Sequence, residues 1–242
     1  MSTRNQLLAA ALGAALLFPA SGVLAQDVSK VMGSIDVEAG QTVGDVDTVN
    51  GRIRIAAGAS LGDAATVNGS IEAGDGARLA SVETVNGRIT LGHDVHSGSL
   101  ETVNGRIRTG ERARIGGDVE SVNGSVFIDR GSRVDGDIET VNGSIGLVGT
   151  EVTGDIETVN ADLTVGAGSH VRGRVHYEKP QSTFPLGTRR TPRVIIGPGA
   201  VVDGPLVFEH EVELFVHDTA RTGTVTGATA QAYSGEGAPA RD

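Results

Sequence analysis

Cysteine and tryptophan are both missing from the 242 residues. Without thiols the chain can build neither a disulfide framework nor a thiolate metal site, and it has no cysteine to carry a lipid. Aromatics are scarce, with five phenylalanines and two tyrosines, which excludes a broad core packed around large rings. No apolar run reaches the roughly 20 residues of a membrane-spanning helix. Beyond residue 25 no sustained helical period is present either. Glycine, at 36 residues, is the abundant type. Such a chain must bury small aliphatic side chains in some repetitive way, which means a narrow core.

Residues 1–25 carry one positive charge, at Arg4, then an apolar run from Leu7 to Phe18, then Pro19 and small residues up to Ala25. This pattern predicts a secretory signal cleaved after Ala25. The exported chain is expected in the periplasm, with the outer membrane or cell surface as alternatives, and without an integral membrane segment. Losing Arg4 leaves 19 basic and 30 acidic side chains, a net charge of −11. Phosphate backbones need a basic footprint, so nucleic acid is not an expected partner.

A repeat organises the rest. Asn50, Asn68, Asn86, Asn104, Asn123, Asn142 and Asn160 each end a Thr-Val-Asn or Ser-Val-Asn triplet, at steps of 18 or 19 residues. Short alternating segments separated by glycine and Asp/Asn corners predict strands. Ile53 and Ile55 alternate with arginines, and Leu61 and Val67 follow at six-residue steps, matching Val37, Val43 and Val49 one repeat earlier. These positions predict inward-facing columns stacked at about 4.8 Å, with the motif valine in the core. The fold expected is all-β: a single-stranded parallel β-helix, or solenoid, of about ten coils over 26–228, in which no repeat is stable alone. Its Asn-Gly corners are expected to use left-handed backbone angles, and their asparagine amides to stack into a structural ladder. Asn-Gly-Ser at Asn68, Asn123 and Asn142 spells a glycosylation sequon, but the turn accounts for it.

Three features depart from the uniform coil. The residue two before each motif valine is acidic at Asp47, Glu83, Glu101, Glu120, Glu139 and Glu157, a column expected to be a solvated face relieved by Arg52, Arg88 and Arg106. Residues 177–192 hold three prolines and break the period, so they predict a loop bulging from the rod. Lys179, Phe184, Arg189, Arg190 and Arg193 make it a candidate partner-binding patch for an anionic envelope polymer. Residues 229–242 read as a disordered tail. His93 and His96 have a spacing that hints at a metal, but no ligand cluster completes a site, and no catalytic residue or cofactor is expected.

Segments 136–143 (Gly-Asp-Ile-Glu-Thr-Val-Asn-Gly), 154–160 and 196–204 (Ile-Gly-Pro-Gly-Ala-Val-Val-Asp-Gly) resemble the repeats of bactofilin-type polymer-forming proteins and of related adhesin-like envelope proteins. The resemblance covers roughly residues 33–228 and rests on repeat style. It implies a right-handed triangular β-helix that polymerises end to end without nucleotide, although residue spacing alone accepts either hand. Bactofilins act on the cytoplasmic side, whereas this chain carries a secretory signal. The function expected is therefore a non-enzymatic, self-associating scaffold of the bacterial cell envelope, a homo-oligomer or polymer. One alternative is an adhesin or envelope-binding module using the loop 177–193. The other is a left-handed β-helix acyltransferase, since 18 residues equal three hexapeptides; the 19-residue coils break that register.

Overall fold

The computed structural model describes residues 26–180, 190–235 and 237. Over these the chain winds into a parallel β-solenoid of eleven coils, one more than the spacing predicts, and contains no helix. No described helix is long and apolar enough to cross a membrane.

The coils contribute strands or single bridges to three faces. The first face runs from Val28–Met32 and Val46–Asn50 up to Val225–Thr226, and the second from Ile35–Val37 and Ile53–Ile55 up to Ala230–Tyr233. The third is made of single bridges at Thr42, Ser60 and Arg78, then two-residue strands from His96–Ser97 to Arg221–Thr222. In the middle of the rod the strands Val82–Leu91, Leu100–Thr109, Val119–Ile128 and Ile138–Leu147 pass through the first two faces without a break. Like residues therefore sit on like: Ile53 pairs with Ile71, Ile71 with Ile89, and Ile89 with Ile107. All four are fully buried. Each such side chain is worth about 1.5–3 kcal/mol, and none can be buried without the coil above or below.

The motif is oriented differently from expectation. Thr48, Thr66, Thr84, Thr102, Ser121, Thr140 and Thr158 point inward and are buried, while Val49 and Val67 lie only half-buried outside the core cluster. The reason is strand parity. Val46 faces in, so Thr48 must face in and Val49 out. Three of these hydroxyls find carbonyls, Thr48, Thr66 and Thr84 donating to the Gly33, Gly51 and Gly69 oxygens of the preceding coil at 3.2–3.3 Å, whereas those of Thr102 and Ser121 are buried without a hydrogen-bond partner among the described residues. Val37, Leu61, Leu163, Val165 and Val171 are buried as expected.

The motif glycine also acts differently. Only Gly143 among the glycines of the Asn-Gly corners has a positive φ, and none of the asparagines does. What glycine supplies is room: a Cβ on Gly105 would overlap the Gly87 carbonyl oxygen stacked beneath it. Left-handed geometry belongs instead to the corner between the second and third faces, at Gly58, Gly76, Gly131, Gly149, Gly168 and Gly199. Two consecutive coils place Asp94 and Arg112 in that slot, each at φ 57°.

The interruption of the period is real but narrower than the sequence suggests. Tyr177 belongs to the strand Val175–Tyr177, stacked in register between Thr158 and Phe208. It is fully buried, donates to the Ala161 carbonyl at 2.9 Å and packs 5.3 Å from the Phe208 ring. Burial pushes its hydroxyl pKa well above the ordinary tyrosine range. The expected tail begins later too, because Ala230–Tyr233 pairs with Glu213–His217 and completes the last coil.

Candidate functional surfaces

The asparagine ladder forms as expected. Asn68 donates its amide to Asn50, and the chain of bonds continues through Asn86, Asn104, Asn123 and Asn142 to Asn160 at 3.0–3.1 Å. Each amide from Asn68 to Asn142 is both donor and acceptor to its neighbours, so the ladder fixes coil-to-coil register.

A second ladder occupies the corner that leads into the first face. The Asp27 carboxylate accepts the Asp45 backbone N–H, Asp45 accepts that of Asp63, and Asp63 accepts both N–H and hydroxyl of Ser81. The pattern resumes from Asp118 to Asp137, Asp155 and Arg174. Recurrence of aspartate before the strand could have signalled this ladder, but sequence reasoning treated these residues only as turn formers.

On the first face the acidic column is in register, Glu83 beside Glu101, Glu101 beside Glu120, and so on to Glu157. Arg52 does not relieve it, because its guanidinium lies 3.7 Å from Glu72 on the second face. Relief comes at Glu157, where Arg174 donates to the carboxylate. Asp47 and Glu101 feel neighbouring acids. Partial burial first, then the charges of Asp45, Asp27 and Asp63, raise Asp47; partial burial, then Glu83 and Asp118, raise Glu101. Beside this column run the outward motif valines, half-buried except Val141, which is 38% exposed.

Arginines occupy the other faces. Arg88 and Arg106 are neighbours in register on the second face, and Arg108 lies over the Phe127 ring at 4.9 Å. On the third face Arg78, His96, Arg114 and Arg133 form one column. A shallow groove there is lined by Arg114, Arg133, Glu151 and His170. Arg172 and Arg133 hold Glu151 below the usual glutamate range. His93 accepts the Glu111 N–H at 3.2 Å. Among the described residues no group of three or more His, Asp or Glu is arranged to hold a metal ion.

The loop residues divide. Phe184 and Arg189 lie outside the described residues. Lys179 enters the insertion with its backbone N–H on Glu209 at 3.0 Å, and that bond, with one from His176, lowers the Glu209 pKa. At the exit Arg190 donates to Asp162 at 2.6 Å, as does the Arg193 N–H at 2.9 Å. The Arg193 guanidinium covers the Phe215 ring at 4.5 Å. Both stems are thus tied to the rod by carboxylates, and two of the basic side chains expected to face a partner are engaged with the rod itself.

No family model, curated protein or solved structure matches this chain.

Proposed function

We propose that the chain is a non-enzymatic scaffold protein of the bacterial cell envelope, bactofilin-like in behaviour, whose rods stack head to tail. The observation that carries this reading is the open edge at each end. Val28–Met32 pairs only with Val46–Asn50, and Ala230–Tyr233 only with Glu213–His217, among the described residues. Unpaired parallel edges are templates for another strand.

The residues at the two edges suit one another. Continuing the columns from the last coil into the first coil of a second copy sets Val28 over Val225, Ile35 over Ala230 and Val37 over Ala232. In the threonine column the first coil carries Lys30, in register with Thr48. Its counterpart in the last coil, stacked on Phe208, is Gly227, which has no side chain to meet the Lys30 stem, while the Lys30 ammonium donates to the Ser34 carbonyl at 2.8 Å. Two N-terminal ends would instead bring two lysine-bearing edges together, so like charge disfavours head-to-head pairing. Sedimentation velocity and negative-stain microscopy of residues 26–242 provide the test. Filaments are expected for the unaltered chain, and single rods about 48 Å long, by the strand spacing, for Ala230→Lys/Ala232→Lys. An unaltered chain that stays as single rods at high concentration refutes the reading.

A further inference from the structure

The outward valines of the first face do not join the core of the rod. Val67, Val85, Val103, Val122, Val141 and Val159 recur in every coil from the third to the eighth, outside the core cluster, and together with Val49 make an apolar ribbon about 29 Å long by the strand spacing. It is half-buried except at Val141, and at its far end the His210 ring meets the Val159 carbonyl at 2.8 Å. A solvent-facing position held at valine through consecutive coils, while the position two before it is held acidic, has the composition of a contact surface with an apolar centre and a charged border.

The complementary surface lies on the second face. In the same middle coils the second face presents Arg88 and Arg106 side by side, with Arg108 one alternate position on, held upright against Phe127. Arg88 and Arg106 have no ion pair among the described residues, and neither do Glu83 and Glu101 across the Asn-Gly corner. Like charges stacked one strand apart repel. Two rods laid side by side relieve both penalties in the middle coils, because Glu83 and Glu101 lie one coil apart, as do Arg88 and Arg106, so the two pairs can meet in register. We infer that the valine ribbon with its glutamate border binds the arginine-bearing second face of a second copy, so that rods associate laterally.

A strip about 29 Å by about 15 Å covers only some 430 Å² of each partner, at the small end of specific interfaces. Single rods therefore pair weakly and with strong salt dependence, and longer assemblies pair tightly because identical contacts repeat along them. The contact joins two different faces, so it is heterologous and does not close on a two-fold dimer. It does not depend on end-to-end stacking.

The test uses the end-blocked Ala230→Lys/Ala232→Lys chain, so that its outcome is separate from that of filament growth. Sedimentation velocity at about 20 mM salt should show concentration-dependent association that falls at least tenfold at about 500 mM salt, where charges more than a few ångströms apart are screened. Arg88→Glu/Arg106→Glu/Arg108→Glu and Glu83→Lys/Glu101→Lys/Glu120→Lys/Glu139→Lys should each abolish it while keeping the circular-dichroism spectrum and melting temperature of a folded solenoid. A one-to-one mixture of the two variants should restore it. Val85→Ser/Val103→Ser/Val122→Ser in the glutamate-bearing partner should weaken the restored association about tenfold. Absence of association at low salt overturns the inference, as does association that survives either charge reversal. A restored mixture indifferent to the valine changes also overturns it, because that result identifies nonspecific attraction between oppositely charged proteins.

Discussion

Replacing Gly105 by alanine tests the tightest joint in the rod. Its φ is not in the left-handed region, so alanine meets no conformational obstacle there. Considered as an isolated residue, the change should even stabilise by about 0.4–1 kcal/mol, because the unfolded chain loses freedom. The stacked carbonyl reverses the sign. A Cβ at this position would overlap the Gly87 oxygen, and Gly87 and Gly124 hold Gly105 in register from below and above. Relief requires the coils to part, which strains the ladder and the adjoining bonds Asn104 to Asn86 and Asn123 to Asn104. Overpacking costs about 1–3 kcal/mol and two weakened hydrogen bonds about 1 kcal/mol more, so a loss near 3 kcal/mol is expected. The comparison is Gly76→Ala, where φ is 68° and a Cβ meets nothing within 4 Å. There the cost is conformational only, about 1–2 kcal/mol. Thermal unfolding of the two variants should separate them by several degrees, with Gly105→Ala the lower, and amide exchange should rise in the coils around residue 105. A Gly105→Ala melting temperature equal to or above that of Gly76→Ala refutes the close-stacking account.

Three further outcomes follow from the same geometry. Thr84→Asp should unfold the middle of the rod, at a cost above about 3 kcal/mol for an unpaired buried carboxylate, whereas Val85→Asp should cost under about 1 kcal/mol; equal losses in urea titrations would return the valine to the core. Glu101→Gln should stabilise by about 0.2–1 kcal/mol at pH 7, where it removes a like charge from the column. Because the fold raises the Glu101 pKa, the unaltered chain regains that stability as pH falls through its raised value, so the gain should vanish below the ordinary glutamate range; a gain constant down to pH 3 in melting experiments would exclude charge as its source. Asn104→Ala removes two ladder bonds and Asn160→Ala one, so the first should lose about 1–2 kcal/mol and the second about half of that, by chemical denaturation.

The coil period, the asparagine ladder and the aliphatic columns were all legible in the sequence, because an 18- or 19-residue step admits few alternatives once the same triplet returns seven times. The orientation of that triplet was not. Counting six residues on from Leu61 reaches Val67 only by crossing a corner, where strand parity resets, and polarity alone favours valine over threonine for the interior. The decisive signal was nonetheless present: the position two before the threonine holds Val46, Ala64, Val82, Leu100, Val119, Ile138 and Ile156, all apolar and all buried. Tyr177 was read as loop because proline follows it closely, yet an aromatic in the threonine column widens the core where the insertion leaves the rod. The partnership proposed for the two faces was invisible for a plainer reason. Register and corner geometry decide which charges meet, and neither is written in the spacing of acids and arginines alone.

The identical joint between successive coils has one more consequence, for how such a rod changes length. Removing residues 87–104 would bring Asn86 next to Gly105, which is the junction each coil already makes, and every column would close over the gap. The protein should fold one turn, about 4.8 Å, shorter. Length is thus a quantity that duplication or loss of a 54-base unit can adjust stepwise, with both ends and the insertion left untouched.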